Sequence, residues 1–466
     1  MQLFVRDKIF YRNVVKIAVP VVLQSLITIG VNMMDTLMLG SYGELQLSGS
    51  SLANEFINIF QIMCMGMGYG AAVLTAQYWG AQNISAFKKV VTIMLRICLV
   101  VAALFSVVTF MFPNAIMSIY TNDAQIIEKG SLYFRISALA YIPTGIALTL
   151  TAVMRSVREV KLPLITSIVA FFVNIFFNWV FIFGKLGAPE MQIEGAALGT
   201  LLARLVEMSV IGGYFLFVDK KVGYRIRDFF RKCSDHLRLY IQYCIPVLIS
   251  DTLLALGNSA VSVIMGHIGA SFVAANAIVS QVVRMSTVFT QGVSNASSVM
   301  TGNTLGEGET GKAYKQGITF LSMSVIIGVC AGLIILAICP FVVGGFNITE
   351  ETRAIADQLM FAVALMVIFQ STNSVLTKGV LRGGGDTKFL MVADILFLWI
   401  VSIPLGYLAG IVFQLPAFFI YAALKADWVI KSVWCTIRLV KGKWIRTVPD
   451  GENAKNMNVT ANEKTA

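Results

Sequence analysis

PVVLQSLITIGVNMMDTLMLGSYG, residues 20–43, returns at 246–269 as PVLISDTLLALGNSAVSVIMGHIG, without insertion or deletion. Pro20, Asn32, Gly40 and Gly43 fall on Pro246, Asn258, Gly266 and Gly269, a constant spacing of 226 residues. At the same spacing Gly66 and Gly80, in CMGMGYGAAVLTAQYWGAQN, fall on Gly292 and Gly306, in FTQGVSNASSVMTGNTLGEGE. One residue further out of step, MRSVREVK (154–161) lies over LRGGGDTK (381–388), which pairs Arg155 with Arg382 and Glu159 with Asp386. A hydrophobic chain that repeats itself over half its length is built from two like halves, the way transporters place a site between two repeats.

Composition sets the solvent. Of 466 residues 57% are hydrophobic and only 13% charged, and mean hydropathy is +0.77. Soluble domains have roughly 45–50% apolar and about 25% charged residues, so this surface belongs in a bilayer. Twelve apolar stretches follow, near 13–39, 46–80, 86–112, 130–154, 162–184, 192–218, 239–266, 272–304, 313–345, 355–381, 388–411 and 413–438. Their length and lack of two-residue alternation predict helices. The expected fold is an all-α polytopic membrane protein, with twelve transmembrane helices in two pseudo-symmetric six-helix bundles. Residues 13–218 form one lobe and 239–440 the other. A cytoplasmic N-terminus (1–12), a cytoplasmic linker (219–238) and a cytoplasmic tail (441–466), expected to be disordered from Thr447 onward, complete the division. The N-terminal residues are polar and basic and read as no cleavable signal peptide.

A net charge of +11 could signal nucleic acid, but its distribution says otherwise. Arg6, Lys8, Arg12 and Lys16 precede the first stretch, Lys88 and Lys89 follow the second, and Arg155, Arg158 and Lys161 the fourth. Lys220 to Arg238 follow the sixth, Lys312 and Lys315 the eighth, Arg382 and Lys388 the tenth, and Lys441, Lys443 and Arg446 the last. The alternate connections carry almost none. That is the positive-inside pattern, with both termini cytoplasmic in a plasma (inner) membrane and no nucleic-acid partner. The seven cysteines show no CxxC spacing, and His236 and His267 form no HExxH motif. GEGETGK (306–312) comes close to a phosphate loop but has Ala313 where a Mg²⁺-binding hydroxyl is required, and no strand precedes it. No paired Asp motif supports a membrane-embedded enzyme, and no cofactor is expected.

Taken in order, AVP…MMDTLMLG, QYWGAQN, GNTLGEGE and LRGGGDTK resemble the multidrug and toxic compound extrusion (MATE) family over about residues 10–440. The resemblance implies a V of two lobes around a central cavity. It also implies secondary active efflux of amphipathic, usually cationic drug-like compounds, driven by inward H⁺ or Na⁺. A monomer in the lipid bilayer is expected. The same superfamily contains lipid-linked oligosaccharide flippases, the rival reading, which would want a cationic cavity for pyrophosphate.

Asp35 lies inside the first apolar stretch, where a carboxylate is costly and faces a cavity or a partner; near the outer end of the span it could instead be solvated. The resemblance assigns it ion coupling. It adds polar groups from the fifth and sixth spans, here Asn174 and Asn178, four apart and so on one helix face, and Thr200 in GAALGTLLAR. Many members carry aspartate where Asn178 stands, so one charge is missing. With Na⁺, Asp35 and Asn174 would be its ligands; oxygen donors suit a hard cation. The alternative for the two asparagines is interhelical hydrogen bonding. Glu55 could supply the second carboxylate or sit solvated near the outer mouth, and Gln281 is its repeat partner. Asp251 is a candidate substrate contact, or else pairs with Lys378 or Arg284; Asp394 is a weaker candidate. Gln24 and Gln281 complete the polar groups assigned to the substrate cavity. Pro20 and Pro246 each remove a helical hydrogen bond and are candidate gating kinks. Asp35 falls on Val261, and Asn174 and Asn178 on Val401 and Leu405, so ion chemistry is expected in the N-terminal half alone.

Overall fold

The computed structural model describes residues 4–344 and 348–448, and among these every regular element is helical. In chain order the long helices are α1 (Lys8–Tyr42), α2 (Glu44–Gly80), α3 (Ile84–Met111), α4 (Ala124–Ser156), α5 (Lys161–Ile182) and α6 (Gln192–Val218). Then come α7 (Ser234–Ile268), α8 (Ala270–Gly306), α9 (Thr310–Cys339), α10 (Glu350–Gly383) and α11 (Thr387–Val412). These eleven are long and apolar enough to cross a membrane. The expected twelfth is broken at Lys425 into α12 (Ala417–Leu424) and α13 (Ala426–Val440), each too short to span alone. A wide π-type turn closes α6 at Tyr214–Val218, and others lie within α10 at Val375–Val380 and α11 at Leu396–Ser402. Such bulges frequently mark functional sites.

Large apolar side chains face outward as well as inward: Val100, Phe172, Ile326 and Leu333 are among the exposed ones. This inversion of a soluble surface suits contact with lipid. The chain divides into two compact units, Leu23–Thr75 with Asn83–Cys244, and Met1–Val22 with Ala76–Gln82 and Ile245–Ala466. The cuts fall within α1 just after Pro20 and within α7 just before Pro246, and both helices run on through their prolines. The core of the first unit gathers around Leu39, Ala53, Met117, Phe134 and Ile182. That of the second gathers around Ala275, Val279, Ile335, Leu359 and Val363.

The repeated glycines have a packing reason. Within the second unit, a Cβ on Gly80 would strike the Asn303 carbonyl, and one on Gly306 would strike the Gln77 carbonyl. Gln77 and Asn303 are themselves repeat partners, so two copies of one motif cross backbone to backbone. Asn303 Nδ2 donates to the Ala76 carbonyl at 2.9 Å. The turn after each glycine needs a left-handed residue, filled by Gln82 (φ 57°) in one copy and Gly308 (φ 80°) in the other. GEGETGK is therefore a helix-ending turn, with Lys312 paired to Glu309 at 2.7 Å.

LRGGGDTK also acts structurally. Buried Asp386 accepts from Arg438 Nε at 2.7 Å and pairs with Arg446 at 2.8 Å, while Gly384 lies against the fully buried Trp444. Trp444 and Arg446 are thereby fastened to the fold; residues 449–466 of the expected tail lie outside the described residues. In the other copy Glu159 pairs with Lys221 at 2.6 Å. The linker is fastened to α3: Lys88 Nζ pairs with Asp228 at 2.9 Å, and Arg96 Nε donates to the Phe229 carbonyl at 3.1 Å.

Candidate functional site: the Asp35 cluster

Helices α5 and α6 approach closely because α6 presents glycines to α5. A Cβ on Gly195 would meet the Phe181 carbonyl, and one on Gly199 would collide with Asn178 Oδ1. Small residues four apart allow such an approach between membrane helices. The approach brings Asn178 Nδ2 to within 2.6 Å of Asp35 Oδ1 on α1, the donor amide facing the carboxylate. Asn178 Nδ2 also donates to Asn174 Oδ1 at 3.3 Å, and Asn174 Nδ2 to Thr200 Oγ1 at 3.4 Å. Asn174 and Asn178 are buried and Asp35 is half-buried. One acceptor is left over: Asn178 Oδ1 is buried with no hydrogen-bond partner among the described residues. An unpaired buried amide oxygen costs about 1–3 kcal/mol, so its persistence next to a carboxylate suits a position that a cation or a proton donor fills.

Four of the five coupling residues expected from the sequence therefore converge. Glu55 does not join them: it is exposed on α2 and has no hydrogen bond or ion pair to this cluster among the described residues. Burial first, then the Glu55 carboxylate, pushes the Tyr120 phenol up from its ordinary range, which places Glu55 beside the helix Pro113–Tyr120 instead. Sequence reasoning missed three neighbours. The Tyr133 hydroxyl donates to Asn54 Oδ1 at 3.5 Å, and the Arg204 guanidinium, whose charge acts on Asp35, pairs with buried Glu207 at 2.7 Å. Arg204 and Glu207 were legible as charges inside an apolar stretch; Tyr133 had no signal.

The substrate-cavity candidates are not assembled into one group. Gln24 Nε2 donates to Ser167 Oγ at 2.9 Å, and Gln24 Oε1 accepts from Arg155. Gln281 is exposed. Asp251 pairs with neither Lys378 nor Arg284 among the described residues: its two oxygens accept from Nη2 and Nη1 of buried Arg382, at 2.9 and 3.3 Å. Arg382 is the repeat partner of Arg155, and each arginine anchors the first helix of its own half. Asp394 proves to be deeply buried and paired with Lys431 at 3.1 Å.

A helical membrane protein with two like halves and a lone carboxylate among amides is a transporter by architecture. The MatE family profile matches residues 20–180 and again 246–408, starting at the two repeated prolines. The chain belongs to this family of multidrug and toxic compound extrusion transporters. It is 23% identical over 436 residues to a probable multidrug resistance protein NorM of Thermotoga maritima, covering 93% of each chain. To a namesake from Mesorhizobium japonicum it is 25% identical over 448 residues, again covering 93% of each. Among solved structures, a MATE protein in complex with MaL6 superposes with a TM-score of 0.82 at 16% identity, covering 92% of this chain and 96% of that one. A MOP superfamily transporter from Pyrococcus furiosus gives the same figures. At such identities the superpositions speak for the fold alone.

Proposed function

We propose that the protein is an antiporter that exports amphipathic, cationic drug-like compounds from the cytoplasm in exchange for H⁺ or Na⁺, with the coupling ion held at Asp35. The observation that carries the reading is the orphaned Asn178 Oδ1 beside the Asp35 carboxylate. Na⁺ would take oxygens from Asp35, Asn174 and Asn178, with Thr200 behind them. A proton on Asp35 would instead be donated to the amide oxygen. One carboxylate among neutral amides holds either ion loosely enough to release it. Loading can drive a conformational change only through a difference in affinity between two states.

Pro20 and Pro246 are the hinges in this scheme. Each stands two or fewer residues from a place where the two units part within a continuous helix. Related proteins have been solved in bent, straight and outward-facing conformations. The protein works as a monomer in the plasma membrane with both termini cytoplasmic, as its alternating basic connections support. The flippase reading is less favoured: buried Arg382, a natural pyrophosphate ligand, is held bidentately by Asp251. Proteoliposomes loaded with an organic-cation dye test the proposal. Efflux should follow an imposed H⁺ or Na⁺ gradient; gradient-independent behaviour, with scrambling of a lipid-linked pyrophosphate, would favour the flippase.

A further inference from the structure

Arg284 stands within α8 about 21 Å from the Ala270 end and about 33 Å from the Gly306 end, at 1.5 Å of rise per residue. The turns before it, FVAANAIV (272–279), are almost wholly apolar. Its side chain is exposed and makes no hydrogen bond or ion pair among the described residues. Asp251, the acid that the sequence offered it, is taken by Arg382. A guanidinium turned to hydrocarbon at such depth is costly, and intramembrane arginines face a water-filled cavity or a partner. The side of α8 that carries Arg284 is therefore one that water or a ligand reaches.

That side has the make-up of a binding surface. Gln281, Met285 and Phe289 follow one another every four residues and are all exposed, with Arg284 one turn past Gln281 on the same side. Together they offer an amide, an adaptable thioether, an aromatic ring and a guanidinium, whose fork matches the two oxygens of a carboxylate. In the N-terminal repeat the matching positions of α2 are Glu55, Asn58, Ile59 and Met63, and the first three are exposed as well. The open face recurs in both halves, with a carboxylate on one copy and a guanidinium on the other.

No carboxylate of its own unit answers Arg284 among the described residues. Asp251, Asp394 and Asp427 are committed to Arg382 and Lys431, and Asp357 receives the Cys339 thiol. Lys378 on α10 is likewise exposed, with no hydrogen bond or ion pair among the described residues. A purely cationic compound gains nothing from such a surface, whereas a carboxylate does. We infer that the Gln281–Arg284–Met285–Phe289 face of α8 is a substrate subsite, with Arg284 donating to the two oxygens of a carboxylate. The exported compounds are then zwitterionic amphiphiles, carrying a carboxylate beside their cationic centre. Their export rests on the antiporter reading; the carboxylate contact is independent of Asp35.

A matched dye pair tests this on the purified full-length protein: a zwitterionic rhodamine with a free carboxylate, and the methyl ester of the same dye, a plain cation. Fluorescence anisotropy should show the free acid bound about tenfold more tightly than the ester. Arg284→Gln should abolish that preference by weakening the acid alone, Arg284→Lys should keep part of it, and Lys378→Gln should leave it in place. Equal binding of the two dyes by the unmodified protein, a preference that survives Arg284→Gln, or equal weakening of both dyes by that substitution overturns the inference. So does a loss with Lys378→Gln as large as with Arg284→Gln, which would reflect a general field. Displacement of both dyes alike by phosphatidylglycerol would assign Arg284 to a lipid headgroup and overturn it too. Efflux of the same pair from proteoliposomes separates the two readings. Gradient-driven export of the ester, with no preference for the acid in binding, leaves the antiporter standing and removes the subsite. A preference in binding, with no gradient-driven export of either dye, does the reverse.

Discussion

Asn178 donates one amide hydrogen to Asp35 at 2.6 Å, while its own Oδ1, pressed against Gly199, accepts nothing. The geometry depends on a missing Cβ. Gly199→Ala would push the amide off the carboxylate, and coupled efflux should fall by about tenfold, equivalent to losing roughly 1.4 kcal/mol at the site. Gly212→Ala on the same helix, with nothing within 4 Å of the added carbon, should leave efflux unchanged. Equal effects of the two, measured in proteoliposomes, would refute this role for Gly199.

The crossing of the two motif copies predicts a matched pair of stability losses. Gly80→Ala and Gly306→Ala each place a carbon against a backbone carbonyl, which cannot move aside as a side chain can. Each should cost about 1–3 kcal/mol, the usual range for overpacking. Thermal unfolding in detergent reads this, and a substitution that leaves the melting temperature unmoved contradicts the packing account.

Asp251 and Arg382 decide between structure and substrate recognition. Asp251→Asn leaves a buried guanidinium without its counter-charge and should cost about 3–5 kcal/mol, whereas Asp251→Asn with Arg382→Leu should recover much of it. If Asp251 instead served the substrate, the single variant would weaken drug binding and leave thermal stability intact.

The linker carries a pH dependence. Burial alone would raise the Asp228 pKa, but the Lys88 ammonium, the Arg225 backbone N–H and the Arg231 charge outweigh it and hold the carboxyl below its ordinary value. A depressed folded pKa means that its stabilisation is complete above the ordinary carboxylate range, near pH 4, and is lost as pH falls through the lower folded value. Pepsin should therefore begin to cut the linker only in strong acid, and Lys88→Ala should move that onset to higher pH. An unchanged onset would show that the ion pair does not fasten the linker.

Much of this was legible in the residues. The 226-residue repeat marked the two helical halves and the repeated glycines, and a one-residue slip matched Arg155 with Arg382; that the glycines cross backbone to backbone came only from the structure. Asp35 with Asn174, Asn178 and Thr200 could be grouped because a family pattern and helical spacing pointed to the same positions. Glu55 was placed too generously: depth along a helix does not say which way a side chain turns. The partner of Asp251 was missed because contact across helices depends on rotation that periodicity leaves open. The buried cluster of Asp394, Asp427 and Lys431 was not foreseen, because the matched repeat segments do not cover these positions. The break in the twelfth helix escaped notice because apolar length alone does not show where a helix is interrupted, although Lys425 and Asp427 stand at the break.

The central claim is that Asp35 holds the coupling ion. Efflux of an organic-cation dye from proteoliposomes under an imposed H⁺ or Na⁺ gradient, comparing the unmodified protein with Asp35→Asn, tests it most directly. Gradient-driven efflux should be lost in the variant while its thermal stability is kept. Undiminished gradient-driven efflux from Asp35→Asn would contradict the account.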